Sequence, residues 1–176
     1  MPKFGPAGNA ESFAKMGYKN SLDVPDYIVE MGLDCYEYQC GRGVNIGEEK
    51  ARLLGEKAKE KGGYLSLHAP YYISMSSVEE EKRLNSVNYI LESAKAVNAM
   101  GGSRIVVHTG SCGKISRENA LELAVDTMHK AVAALDEAGL SNIHICPETM
   151  GKVNQLGTLY EVLELCKVCL LYTSDA

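Results

Sequence analysis

No run in this 176-residue chain approaches the ~20 apolar residues that a membrane-spanning helix needs. Met1-Pro2-Lys3-Phe4 leads into no signal-peptide core, so the expected setting is the cytoplasm with no membrane contact. Basic charge is not in excess either. Lys and Arg number 18 against 23 Asp and Glu, a net charge of −5, which excludes a broad basic face and confines any nucleic-acid contact to a local patch. No GxGxxG or GxxxxGK[ST] follows an apolar run, which removes the main mark of a nucleotide-binding α/β domain. A secreted disulfide framework is also missing. The six cysteines, at 35, 40, 112, 146, 166 and 169, are scattered as in a reduced protein, where most serve as small apolar side chains. Cys166-x-x-Cys169 stands alone, without the second pair that a zinc or redox motif would need.

What the chain does have is alternation, with 45% apolar and 23% charged residues, as in a globular domain. Short apolar runs at residues 3–6, 35–39, 64–68, 104–108 and 143–146 read as strands. Between them lie helical stretches opened by Asp23 (with Pro25 in the first turn), Glu48, the box Ser77-x-x-Glu80, Ser116 and the box Thr158-x-x-Glu161. Leu121, Ala124, Val125, Met128, Val132 and Leu135 repeat at helical spacing, and Gly101-Gly102 and Gly139 end two of the helices. Five βα units in a row imply a parallel sheet covered by helices, either doubly wound or wound as a (β/α)₈ barrel.

Three of the runs end in a metal-ligating residue. His68, His108 and Glu148 follow one another at equal steps of 40 residues, each at the C-terminal lip of a strand. Chemistry at the ends of several strands is the habit of a barrel, and parallel strands ~4.8 Å apart would bring the three side chains to one ion. Two imidazoles and a carboxylate suit zinc or manganese better than calcium, and three protein ligands leave an open position that can acidify a bound water. His129, within a helix, and His144, at the opposite end of its strand, lack that placement and read as structural. Glu37, on the second strand, reads equally as a ligand-facing carboxylate or as a charge paired inside the barrel. Loops on the same face carry Arg42, Lys114, Arg117 and Lys152 beside Tyr71 and Tyr72, a set suited to an anionic substrate such as a phosphate.

In Phe4-Gly5-Pro6-Ala7-Gly8, in residues 36–44, and in His68-Ala-Pro-Tyr71-Tyr-Ile the chain resembles a known family. The likeness continues in Val107-His108-Thr-Gly-Ser111, in Pro147-Glu148-Thr149-Met-Gly151 and in Asn154-Gln-Leu-Gly157. The family is the endonuclease IV group (AP endonuclease family 2) of xylose isomerase-like TIM barrels. The resemblance implies a (β/α)₈ barrel holding three zinc ions that hydrolyses DNA 5′ to an abasic site, leaving a 3′-hydroxyl and a 5′-deoxyribose phosphate. It also implies that His68 and His108 bind the first zinc and that Glu148 bridges it to a second as the catalytic carboxylate. Arg42 and Tyr71 would grip duplex DNA from which the abasic nucleotide is flipped out, and the full-length protein would act as a monomer.

A barrel typically needs ~250 residues, so residues 1–168 are expected to be a partial barrel with about the first five βα units. They would supply ligands for about one ion, and the fragment itself is expected to be inactive. Residues 169–176 match a reading frame through a sequencing-library adapter and are expected not to be protein-derived. Two other readings stay open: a metal-dependent sugar isomerase or epimerase on the same fold, and a non-catalytic truncated fragment.

Overall fold

Alternation along the strands decides which face of the sheet meets the core. In the computed structural model, which describes residues 2–169, Tyr36, Leu65, Leu67, Ile105, Val107 and Ile145 are buried. Their neighbours Glu37, Ser66, Val106 and Cys146 point to the opposite face and are only half-buried. The strands are β1 (Cys35–Gln39), β2 (Tyr64–His68), β3 (Arg104–Val107) and β4 (His144–Pro147). All pairings are parallel and the order is β1-β2-β3-β4. An order that never reverses, with right-handed crossovers, puts every connecting helix on one side. That is the winding of a barrel rather than of a doubly wound sheet, whose order turns back at a switch point.

The helices are α1 (Glu11–Lys15), α2 (Val24–Glu30), α3 (Glu48–Glu60), α4 (Glu80–Ala99), α5 (Arg117–Glu137) and α6 (Leu159–Cys169). Their inward stripes keep helical spacing. Ala51, Leu54 and Ala58 face the sheet from α3, Ile90, Ala94 and Val97 from α4, and Ala124, Met128 and Leu135 from α5. Leu67 and Ile105 are wholly buried at the centre of this layer, where truncation to alanine costs about 2–5 kcal/mol.

Strands two to five of the sequence reading are therefore β1 to β4. The first expected strand, at 3–6, is not one. Cys35 N–H donates to Phe4 O, Glu37 N–H to Pro6 O and Gly8 N–H to Glu37 O, so the segment runs beside β1 and pairs only through an Ala7–Glu37 bridge. The missing rung is the one Pro6 would donate to Cys35, and proline has no N–H to give. Two caps also differ from expectation. Glu79, not Ser77, is the N-cap of α4, and the Ser77 hydroxyl accepts the Glu79 N–H at 3.2 Å. Asp23 does stand at the N-cap of α2, but its carboxylate accepts the Lys19 and Asn20 N–H groups ahead of the helix rather than one inside it.

Ser116 does cap α5, accepting Asn119 N–H at 3.2 Å, and Thr158 and Glu161 form their reciprocal box at the start of α6. Cys166 and Cys169 close α6, and neither belongs to a ligand group among the described residues. Residues 170–176, most of the stretch read as adapter-derived, lie outside the described residues. No described helix is long and apolar enough to cross a membrane.

Candidate metal centre

Parallel strands deliver their C-terminal ends to one rim, and there the three candidate ligands meet. His68 is the last residue of β2, His108 follows β3 and Glu148 follows β4. The ladder continues one rung past the strands, with Ala69 N–H donating to Val106 O at 2.8 Å and Glu148 N–H to Val107 O at 2.9 Å, which keeps the ends level. Both imidazoles converge on one carboxylate oxygen. His68 Nε2 lies 3.1 Å and His108 Nε2 3.0 Å from Glu148 Oε2, with the two rings nearly perpendicular at a centroid distance of 5.0 Å.

The protonation pattern tests whether a cation fits. His68 Nδ1 lies 2.9 Å from Ala69 O, and a carbonyl can only accept, so Nδ1 carries the proton. In the neutral ring Nε2 is then a lone pair aimed at a carboxylate oxygen. Two acceptors at 3.1 Å repel unless a proton or a metal ion lies between them. Fixing a histidine tautomer through a backbone carbonyl is also how metal-ligating imidazoles are commonly oriented. Burial pushes the His108 pKa below its ordinary value, against a smaller opposing pull from Glu148, which favours the neutral, coordinating ring. Ligands ~2.0–2.2 Å from one zinc stand roughly 3.3–3.6 Å apart at tetrahedral angles. The observed separations need to open only slightly, and all three ligand atoms lie within 4.8 Å of one another. The residues fit a divalent ion.

Tyr71 forms a wall of this site. Its ring stacks on His108 at 5.7 Å and 28° and meets His68 edge-on at 6.1 Å, while 60% of the residue stays exposed. The loop after β1 holds it in place, since Tyr71 N–H donates to Gly41 O at 3.1 Å. Arg42, the next residue of that loop, is exposed and has no ion-pair partner among the described residues. Lys152 is close enough to His108 to be felt electrostatically.

Other residues named from sequence sit elsewhere. Tyr72 packs against Tyr89. Glu37 faces the same side of the sheet but accepts a hydrogen bond from Gln39 Nε2 at 2.9 Å and is outside the ligand group. His129 is exposed on α5, and His144 opens β4 at the end away from Glu148. Arg117, read as part of a basic cluster for an anionic substrate, is committed elsewhere. Its guanidinium donates to Glu161 and to the carbonyls of Val153 and Gln155.

Sequence reasoning missed the way the three ligand loops interlock. Ser76 Oγ–H donates to Ser111 O at 2.7 Å, tying the loop after β2 to the loop after β3. The loop after β3 is tied in turn to the loop after β4. Ser111 pairs with Gln155, Cys112 N–H donates to Asn154 O, Leu156 N–H to Gly110 O, and the Thr109 hydroxyl to Leu156 O. Gly110, at φ +108°, makes the closeness possible, because a Cβ there would stand 2.4 Å from Ser76 Oγ. These contacts join residues 35 to 47 positions apart, beyond the reach of any local motif.

The family model described as a xylose isomerase-like TIM barrel matches residues 25–169. An uncharacterized protein of Methanocaldococcus jannaschii is 31% identical over 163 residues, 93% of this chain and 56% of that protein. A probable endonuclease 4 of Malacoplasma penetrans is 30% identical over 118 residues, 66% of this chain and 39% of its own length. Among solved structures, the 3-keto-D-glucoside 4-epimerase of E. coli superposes with a TM-score of 0.72 at 20% identity, over 94% of this chain and 63% of its own. The chain spans about half the length of the curated relatives it matches.

Proposed function

Since the chain belongs to the xylose isomerase-like TIM barrel family, we propose that it is the first-metal portion of a zinc-dependent endonuclease that cuts DNA 5′ to abasic sites. The observation that carries this reading is the convergence of His68, His108 and Glu148 beneath an exposed aromatic wall. The Tyr71 ring, beside the ligands at the rim, is suited to stacking with a nucleobase of the substrate. Sequence likeness to a probable endonuclease 4 supports the same choice.

In this reading His68 and His108 offer neutral Nε2 lone pairs and Glu148 offers the charge. A divalent ion held there supplies Lewis acidity towards a phosphate oxygen and lowers the pKa of a water. Glu148 Oε2 lies between the imidazoles, and its other oxygen takes no hydrogen bond among the described residues, which leaves it open to a second cation. Tyr71 stacks on the DNA, and the unpaired Arg42 guanidinium is suited to a bidentate phosphate contact. The work of the fold is to hold three ligand atoms together before substrate arrives.

The test uses full-length protein and a duplex with one abasic site. Chelator-sensitive incision leaving a 3′-hydroxyl is expected, and His108→Ala should lower zinc binding and incision together. An unchanged incision rate in that variant would remove His108 from the site.

A second reading, a sugar epimerase using one divalent ion, draws on the fold shared with the E. coli epimerase and on a described ligand set sufficient for one ion. Metal content separates the two. About three zincs per full-length protein favour the nuclease, and a single manganese favours the epimerase.

A further inference from the structure

Arg117 is the most heavily committed cation among the described residues, and none of its partners is a substrate group. Nε and one terminal nitrogen grip both oxygens of Glu161, the other terminal nitrogen donates to Val153 O at 2.7 Å, and a further bond goes to Gln155 O at 2.7 Å. Four of the five guanidinium N–H groups are thereby used. The carboxylate it grips is only 4% exposed and also accepts Gly157 N–H at 2.8 Å and Thr158 N–H at 2.9 Å. Gly157 O in turn accepts Met150 N–H at 2.9 Å, two residues from Glu148. Gly157 sits at φ +136° with no room for a side chain, since a Cβ would stand 2.7 Å from Met150 N.

The bonds thus run unbroken from Arg117 through Glu161 and Gly157 to the backbone that carries Glu148. The same guanidinium closes the far side of the loop through Val153 and Gln155. Gln155 is the residue that pairs with Ser111, three positions beyond His108. One side chain at the start of α5 therefore spans the loops that bear two of the three ligands.

We propose that Arg117 is a positioning residue of the metal centre, which sets the distance between Glu148 and His108 by clamping the 149–158 loop through Glu161. This rests on the reading of His68, His108 and Glu148 as a metal site. A lysine cannot take its place, because a single ammonium cannot span a carboxylate and two carbonyls in fixed directions. Burial works against ionised Glu161, but Arg117 and the two N–H groups outweigh it and hold the carboxyl at about 2, so the clamp stays charged across the working pH range.

The experiment loads full-length protein with cobalt(II) in place of zinc and records the d–d spectrum, zinc affinity by chelator competition, and Tm for each variant. All measurements are made well below the lowest Tm. Arg117→Ala and Glu161→Gln are expected to weaken zinc binding about 10–100-fold, as loss of groups behind metal ligands does, and to shift the cobalt bands. Arg117→Lys is expected to rescue neither. Should Arg117→Ala fail to fold, the nearly isosteric Glu161→Gln carries the test. A clamp that only braces α6 would lower Tm and leave affinity and spectrum as in the parent, and that result overturns the proposal. If the parent itself gives no cobalt band, or His108→Ala leaves the band intact, it is the metal-site reading that fails.

Discussion

Glu148 and Glu161 belong to opposite ends of one loop, and their surroundings could hardly differ more. Glu161 is almost wholly buried, and every contact it makes is with a donor: a guanidinium and the N–H groups of Gly157 and Thr158. Glu148 is more exposed, and its nearest neighbours are two imidazole nitrogens, one of which, His68 Nε2, presents a lone pair in the neutral ring. A carboxylate whose neighbours all donate is a structural element. One held against an acceptor needs a proton or a metal ion between the two, and a cation bound there would supply it. The contrast separates support from site more sharply than residue type does, since both are glutamates flanking one loop at the same end of the sheet.

The largest effect should come from breaking the satisfied partner. Glu161→Ala leaves Arg117 and two backbone N–H groups without their acceptor and should cost about 3–5 kcal/mol, read by urea unfolding. The same residue gives a pH signature. Its carboxyl is held at about 2 against an ordinary 4.5. The clamp's contribution is therefore present above about pH 4.5 and is lost as pH falls towards 2, on the order of 3 kcal/mol in all. Glu161→Gln should flatten that part of the stability curve, and a parental acid limb in the variant would contradict the assignment.

Glu148→Ala should behave in the opposite way. Zinc affinity in full-length protein is expected to fall by at least ~100-fold, more than for groups behind the ligands. The metal-free Tm should change little, because Glu148 is partly exposed and its side chain, unlike that of Glu161, accepts no backbone N–H among the described residues. A large loss of apo stability would place Glu148 with Glu161 as a structural group and erase the comparison. The smallest effect belongs to the wall. Tyr71→Ala should leave zinc affinity near the parent value and weaken binding of abasic duplex by about 1–3 kcal/mol, read by fluorescence anisotropy. Tyr71→Phe, which keeps the ring, should lose little.

Much of the molecule was legible in the chain. β1 and β2 match the runs read from sequence, β3 ends one residue earlier, β4 is shifted by one residue at both ends, and the His68, His108 and Glu148 side chains converge as their equal spacing implied. Those features are local or periodic: apolar alternation, caps, and strand ends that a parallel sheet must bring level. The expected first strand failed for an equally local reason that was readable in principle, the missing N–H of Pro6.

Arg117 shows where the sequence stops informing. As a cation in a loop near a phosphate-like site it looked like a substrate contact, and only the fold shows it committed to Glu161, 44 residues away. Periodicity and residue chemistry determined the alternation of strands and helices, the buried stripes and the three candidate ligands, because each depends on spacing along the chain. The tertiary structure alone decided which charges are spent holding loops and which remain for chemistry. A charge's role depends on what faces it across space, and that partner is set by packing rather than by its neighbours in sequence.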